Sequence, residues 1–310
     1  MSGDIAGAVG IRGCAGLVCV VAVDRFAWGG RGAIDAGLNA YAAEQYSPRT
    51  ITWLHACYGL GAASGPALMS FLLAADQPWQ LGYAIVGGGQ LVLALAFALT
   101  RRRWHAADAD TAPEPRPAIG LRQTLGKPVV WIGCLVFLLY TGLEVSIGQW
   151  SFTLLTLGRG VPEVSAGQWV SGYWAALTVG RILAGIAANR LSPTVLLRLG
   201  LLGALLGSGL IWFDSAGGLL SLFGLLIAGL SLAPIFPALI ATTPARVGSE
   251  HSANAVGFQV SAAMLGAAGL PWLIGQTIGS AGVPVIGPAI ALSGMLYLGA
   301  YLMLELSSRR

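Results

Sequence analysis

In the stretch GAIDAGLNAY, Gly32 to Tyr41, an aspartate and an asparagine stand four residues apart within mostly apolar sequence. On a helix such positions share a face, so Asp35 and Asn39 project together, with Leu38 and Ala42 beside them. Placing an aspartate at the centre of a spanning helix costs roughly 2.5–3.5 kcal/mol. Such a carboxyl must face a bundle interior or a wet cavity, where it can exchange a proton beside a hydrogen-bonding amide. Arg31 lies one turn earlier and offers a second reading, an ion pair that keeps Asp35 charged and structural. Glu144 raises the same question further along. Tyr140, Glu144 and Ser151 fall on one face at helical period, and Gln149 and Trp150 follow. The Glu144 carboxylate could carry a proton, accept from a solute hydroxyl, or tie two helices together.

Other polar groups inside apolar runs are Gln168, Tyr173, Trp174, Asn254 and Gln259. Amides and carboxylates bind hydroxyls, and aromatic faces suit the C–H patch of a sugar ring. Trp150, Gln168 and Trp174 read equally well as packing residues, and Trp79, Trp104 and Trp212 as anchors at span ends. The four cysteines lie in apolar runs without a C-x-x-C pair, and the three histidines lack ligand spacing. No metal site, cofactor loop or hydrolase motif is legible, which weighs against an integral-membrane enzyme.

The elements that must carry these groups are spanning helices. The chain has 310 residues, 55% hydrophobic and only 10% charged. A soluble domain usually carries about 25% charged residues. Lipid is therefore the expected solvent. A span needs roughly 20 apolar residues, and the sequence predicts eight: 51–74, 79–100, 128–157, 163–188, 193–213, 216–241, 252–278 and 284–306. A ninth at 26–45 would carry Asp35. The first 25 residues hold a short apolar run after Arg12, without the basic start or cleavage site of a signal peptide, and read as a partial span.

Between the second and third of the eight lies a polar linker, 101–127, with Arg101, Arg102, Arg103, Arg116, Arg122 and Lys127. Basic residues beside spans are retained in the cytoplasm, so this is read as a cytoplasmic loop and not a nucleic-acid patch. Arg49, Arg190, Arg198, Arg246, Arg309 and Arg310 fall on the same side, and only Arg159 on the other. The expectation is a multi-pass inner-membrane protein with a cytoplasmic C-terminus. Three parts follow: a partial bundle at 1–100, the linker, and a six-helix bundle at 128–310.

Two stretches match 205 residues apart, LGAASGP from Leu60 and LGAAGLP from Leu265. Two helical groups joined by a long cytoplasmic loop resemble the major facilitator superfamily, whose halves are parallel repeats. The chain looks like such a transporter lacking about three N-terminal helices. GRILAGIAANRLSP, from Gly180 and Arg181 onward, resembles that superfamily's helix-eight signature. Gly185, Asn189 and Arg190 match its G-x-x-x-D-R core, with asparagine where aspartate is usual. APIFPALIA, with Pro234 and Pro237, resembles its proline-bearing tenth helix. LYTGLEVSIGQW resembles helix seven of the fucose-permease-like branch, and GAIDAGLNAY with WLHACYGLGAASGP resembles its helices four and five.

The resemblance implies an all-α bundle of about nine spans and proton-coupled movement of a sugar or similar solute by alternating access, with no cofactor. By the same resemblance Asp35 takes the proton-coupling role of an acidic residue in helix four, with Glu144 as a second site. Asn39, Gln149, Trp150, Gln168, Tyr173, Trp174, Asn254 and Gln259 would meet the solute, and the helix-eight and helix-ten motifs would serve the gate. The alternative is a non-transporting fragment, or a subunit whose partner supplies the missing helices.

Overall fold

The computed structural model describes residues 48–100, 120–188, 190–214 and 217–308. Asp35, Asn39 and the predicted span at 26–45 lie outside the described residues, as do most of the linker and Asn189. The chain divides into two units, Met1–Leu54 and His55–Arg310, and the second holds nearly everything described.

Regular structure among the described residues is helical throughout. The helices are α1 (Pro48–Ala74), α2 (Trp79–Thr100), α3 (Leu121–Leu125), α4 (Pro128–Thr153), α5 (Glu163–Ala187), α6 (Pro193–Phe213), α7 (Leu219–Leu232), α8 (Ile235–Val247), α9 (Ser252–Ala281) and α10 (Ile286–Ser307). A π turn, Leu154–Gly158, extends α4. Among the described residues seven segments are long and apolar enough to cross a membrane, α7 and α8 together making one of them. The predicted spans from 79 onward are present with small shifts at their ends, while the one predicted at 51–74 is helical as part of α1 but contributes only the shorter apolar stretch Ala63–Ala74. The tenth-helix segment is the other exception: predicted over 216–241, it runs on to Val247 and breaks in the middle. The short helix α3 lies inside the predicted linker.

Local signals account for the boundaries. Pro128 and Pro193 open α4 and α6, where a missing N–H costs nothing. Ser192 caps α6, its side chain accepting from the Val195 amide at 3.4 Å. Gly282, at φ 78°, ends α9 in a conformation that a side chain would strain. The matched prolines of the internal repeat, Pro66 and Pro271, both sit inside long helices.

α4 is the centre. Of its spanning window 67% is buried, against 6% for α2. Lipid gives no hydrophobic drive between helices, so close packing must supply the attraction. Small residues make it possible. A Cβ on Gly266 of α9 would stand 2.0 Å from the Leu138 carbonyl of α4. One on Gly229 of α7 would stand 2.4 Å from the Tyr173 carbonyl of α5. At these crossings backbone lies on backbone, and even a methyl group has no room. α1 reaches the same bundle through Ser70, which is buried against Gly167 of α5.

Polar ties close both ends of the bundle. At the end away from the linker, Arg159 bonds Asp214 at 2.8 Å, with side chains 6% and 4% exposed. Arg159 also donates to the Ser221 hydroxyl at 2.6 Å, and the Ser221 amide donates to Asp214 at 2.7 Å, holding the start of α7. At the linker end, Thr124 of α3 shares a 2.9 Å hydrogen bond with His251, and Lys127 donates to the Val247 carbonyl at 2.7 Å, capping α8.

Two outcomes are expected. Gly266→Ala should destabilise the purified chain by about 1–3 kcal/mol through overpacking, whereas Gly269→Ala, which meets nothing within 4 Å, should not. Thermal melts of both variants in detergent check this. The second concerns Asp214. Burial raises its pKa, but hydrogen bonds from Ser221 and Arg159 outweigh burial and hold it below the usual aspartate value. A lowered folded-state pKa stabilises above the unfolded value of about 3.9 and is lost as pH falls through the folded one. The Tm gap between the wild type and Asp214→Asn should be constant from pH 7 to 5 and close as pH falls below about 4. A gap independent of pH would remove the carboxylate from this tie.

Candidate functional site

The tenth-helix segment carries prolines at 234 and 237, and neither has an N–H to give. The carbonyls of Leu230 and Ala233 thus lose their donors one turn earlier, and the helix breaks between Leu232 and Ile235. This break faces the middle of α4. There Tyr140 is 1% exposed, and its hydroxyl lies 3.3 Å from the Leu232 carbonyl.

Tyr140 also donates a very short hydrogen bond to Oε2 of Glu144, one turn along α4. Glu144 is 5% exposed. Its other oxygen, Oε1, faces Nη2 of Arg181 on α5 at 3.7 Å. Arg181 is 7% exposed. Tyr173 of α5 completes the group by donating to the backbone carbonyl of Glu144 at 2.8 Å. Aromatic rings seal it: Tyr140 packs near Phe236 of α8 and Tyr297 of α10, with ring centres 6.3 and 6.1 Å away.

Helix approach makes this geometry reachable. Gly180 precedes Arg181, and a Cβ on it would stand 2.7 Å from the Leu230 carbonyl and 2.6 Å from Ala233. α5 therefore touches the broken helix beside the break, and Arg181 turns inward to Glu144. A carboxylate held by one phenol and one guanidinium has two states of different chemistry. Ionised, it accepts from the phenol and attracts the guanidinium. Protonated, it becomes a donor and no longer attracts the arginine.

The structure gathers some of the predicted residues and separates others. Glu144, Tyr140, Tyr173, Gly180 and Arg181 meet here, with Pro234 buried at the break and Pro237 in the first turn of α8. Ser151 bonds its own helix at Ile147. Trp150 donates to the Pro271 carbonyl at 2.9 Å and rests on Gly275, joining α4 to α9. Trp174 packs on Gly148 of α4. Gln259 is buried, accepts from Thr243 at 2.9 Å and lies over Gly133. Asn254 reaches Thr124 of the linker helix at 3.3 Å. Gln149, Gln168, Gly185 and Arg190 are exposed on the bundle surface.

The pairing of Arg181 with Glu144 was not legible in the motif, which pointed to a gate. The available signal was depth, since an arginine two turns inside an apolar helix needs a carboxylate partner. The same reasoning applies to Arg159, which counted in sequence as a lone cation and is paired with Asp214.

The chain belongs to the Major Facilitator Superfamily, whose family profile matches residues 3–271. That superfamily consists of multi-pass membrane transporters of the secondary type, not of enzymes. The chain is 22% identical over 274 residues to Bypass of stop codon protein 6 of Saccharomyces cerevisiae, a match covering 75% of this chain and 53% of that protein. It is 25% identical over 260 residues to the Glucose/mannose transporter GlcP of Bacillus subtilis, covering 80% and 63%. Its fold resembles that of the transporter FucP in the outward conformation, with a TM-score of 0.53, 17% identity and coverage of 74% and 55%. A second FucP structure, of the E. coli fucose:proton symporter, matches with a TM-score of 0.52. The chain thus spans between half and two thirds of the length of these proteins.

Breaking a buried pair from one side leaves an uncompensated charge, at about 3–5 kcal/mol. Arg181→Ala is expected to destabilise by that amount. Adding Glu144→Ala to it should recover a large part, since the orphaned carboxylate is gone. A double-mutant cycle by unfolding in detergent measures the coupling, and strictly additive effects would show that the two side chains do not interact.

Proposed function

We propose that this chain moves a small polar solute, a sugar or similar, coupled to protons by alternating access. The observation that carries the reading is the buried carboxylate of Glu144, shared by Tyr140 and Arg181 beside a proline break. An apolar bundle retains such a group at a cost, and intramembrane ionisable groups mark proton or substrate pathways. Loading a proton on Glu144 releases Arg181 and loosens α5 from α4, while the break lets α7 and α8 tilt separately. Asp35 with Asn39 is the matching pair in the N-terminal part.

The names of two relatives support the solute class, one a glucose/mannose transporter and the other a fucose:proton symporter. In this reading 1–100 and 128–310 are the two moving parts, and 101–127 is the cytoplasmic tether. The C-terminus is cytoplasmic in the inner membrane. The charges agree with that orientation. Lys127, Arg190, Arg198 and Arg246 cluster at the linker end, while Arg159 at the far end is neutralised by Asp214.

A second reading is a partner-dependent subunit or a fragment that does not transport alone. What favours it is coverage of about half of the yeast relative, together with α2, where Gly82 is the one buried residue among those described. Uptake by proteoliposomes containing this chain alone decides. Glucose, mannose and fucose are offered with the lumen alkaline. Accumulation that a protonophore abolishes, and that Glu144→Gln reduces at least tenfold while exchange of preloaded sugar persists, is the expected result. Accumulation insensitive to the protonophore would end the proton-coupled reading. No uptake by any form would favour the second one.

A further inference from the structure

A second polar site lies at the linker end of the bundle, away from Glu144. Helices α6, α8 and α10 converge there around an open cavity of about 300 Å³. Its walls are polar and basic: Thr194 and Arg198 from α6, Thr242 and Arg246 from α8, Glu305 and Ser308 from α10. We propose that this cavity binds a phosphate group, presented by an anionic phospholipid headgroup or by a free phosphate.

The charges set the preference. Two guanidiniums and one carboxylate leave a net charge of plus one. Glu305 grips Arg198 at 2.7 Å and is itself held by the Tyr301 hydroxyl at 2.8 Å. That clamp fixes one arginine fork at the rim without blocking it, since the Arg198 side chain remains 54% exposed. Arg246, half-buried on α8, brings a second fork to the same cavity. Planar guanidinium forks match phosphate oxygens two at a time. A phosphodiester carries one negative charge and would balance the cavity.

Position and donors agree. Thr194 is the second residue of α6, so the positive end of that 21-residue helix's dipole lies at the cavity, where a helix favours anions. Ser308 closes α10, and Arg309 and Arg310 follow it in the chain. The cavity therefore sits at the level of the helix ends, the depth at which lipid phosphates lie, and basic pockets between spanning helices at that depth take anionic headgroups. The size fits a headgroup and not a large ligand, as it stands at the small end of ligand pockets, roughly 300–1,000 Å³.

The test uses the full chain in a neutral detergent and follows its Tm. Dioctanoyl phosphatidylglycerol, dioctanoyl phosphatidylcholine and inorganic phosphate are titrated separately. A saturable rise with phosphatidylglycerol that phosphatidylcholine and phosphate do not give assigns the site to anionic lipid. A saturable rise with inorganic phosphate assigns it to a soluble phosphate. In either case Arg246→Gln should weaken binding at least tenfold, and Glu305→Gln, which removes the cavity's negative charge, should tighten it severalfold. The second variant decides even where the first fails to fold. No rise with any of the three, or a rise of equal midpoint in the wild type and Glu305→Gln, would overturn the proposal.

Discussion

A charge inside an apolar bundle has to be answered by another charge, and much of this structure is the answer. An isolated guanidinium or carboxylate buried between packed helices would be penalised by several kcal/mol. Arg181 is answered by Glu144, and Arg159 by Asp214. The two pairs differ in completeness. Arg159 is held by contacts of 2.8 and 2.6 Å and by the Ile211 carbonyl, all from the end of α6 and the start of α7. The Glu144–Arg181 pair is longer, at 3.7 Å, and shares its carboxylate with a phenol. The first pair is a rivet. The second is the looser of the two.

The pairs exist only because backbones come close. Gly180 and Arg181 are neighbours, and the two do one job in sequence. Gly180 lets α5 touch α7 where a methyl group would collide with the Leu230 carbonyl. The next residue then emerges at the right place to meet α4. The proline break serves the same contact from the other side, since Leu230 and Ala233 lose their in-helix donors there. The Leu232 carbonyl beside them is approached by Tyr140. Irregular backbone at membrane depth is tolerated where protein buries it, and here protein side chains do so.

Spans were readable because length and apolarity are decided by the bilayer, whatever the partners. The predicted segment at 216–241 fell short because TTPARV looks polar and carries a proline, yet Thr242 and Thr243 satisfy their hydroxyls on carbonyls one turn back and the helix continues. Face assignment on α4 was also readable, placing Tyr140 and Glu144 together by period alone. What period could not reveal is which neighbour each face meets. Asn254 and Gln259 have the same chemistry in sequence as a solute-binding amide, but one ties the linker helix and the other ties α8 to α9. Trp150, an aromatic at the right depth, spends its N–H on the Pro271 carbonyl. Contacts between helices far apart in the chain decide such cases, and they depend on packing that no single segment encodes.

The two ends of the bundle use their charges in opposite ways. At the far end Arg159, Asp214 and Ser221 bond one another. At the linker end Lys127 is spent on the Val247 carbonyl, but Arg198 stands half in solvent and Arg246 lines an open cavity. The mutual bonds tie α4, α6 and α7 together. An open set can exchange partners, with the linker, with lipid or with another part of the protein. Among the described residues the closed contacts therefore sit at the far end and the open ones at the linker end. Between them, among the described residues, lies the buried pair of Glu144 with Arg181.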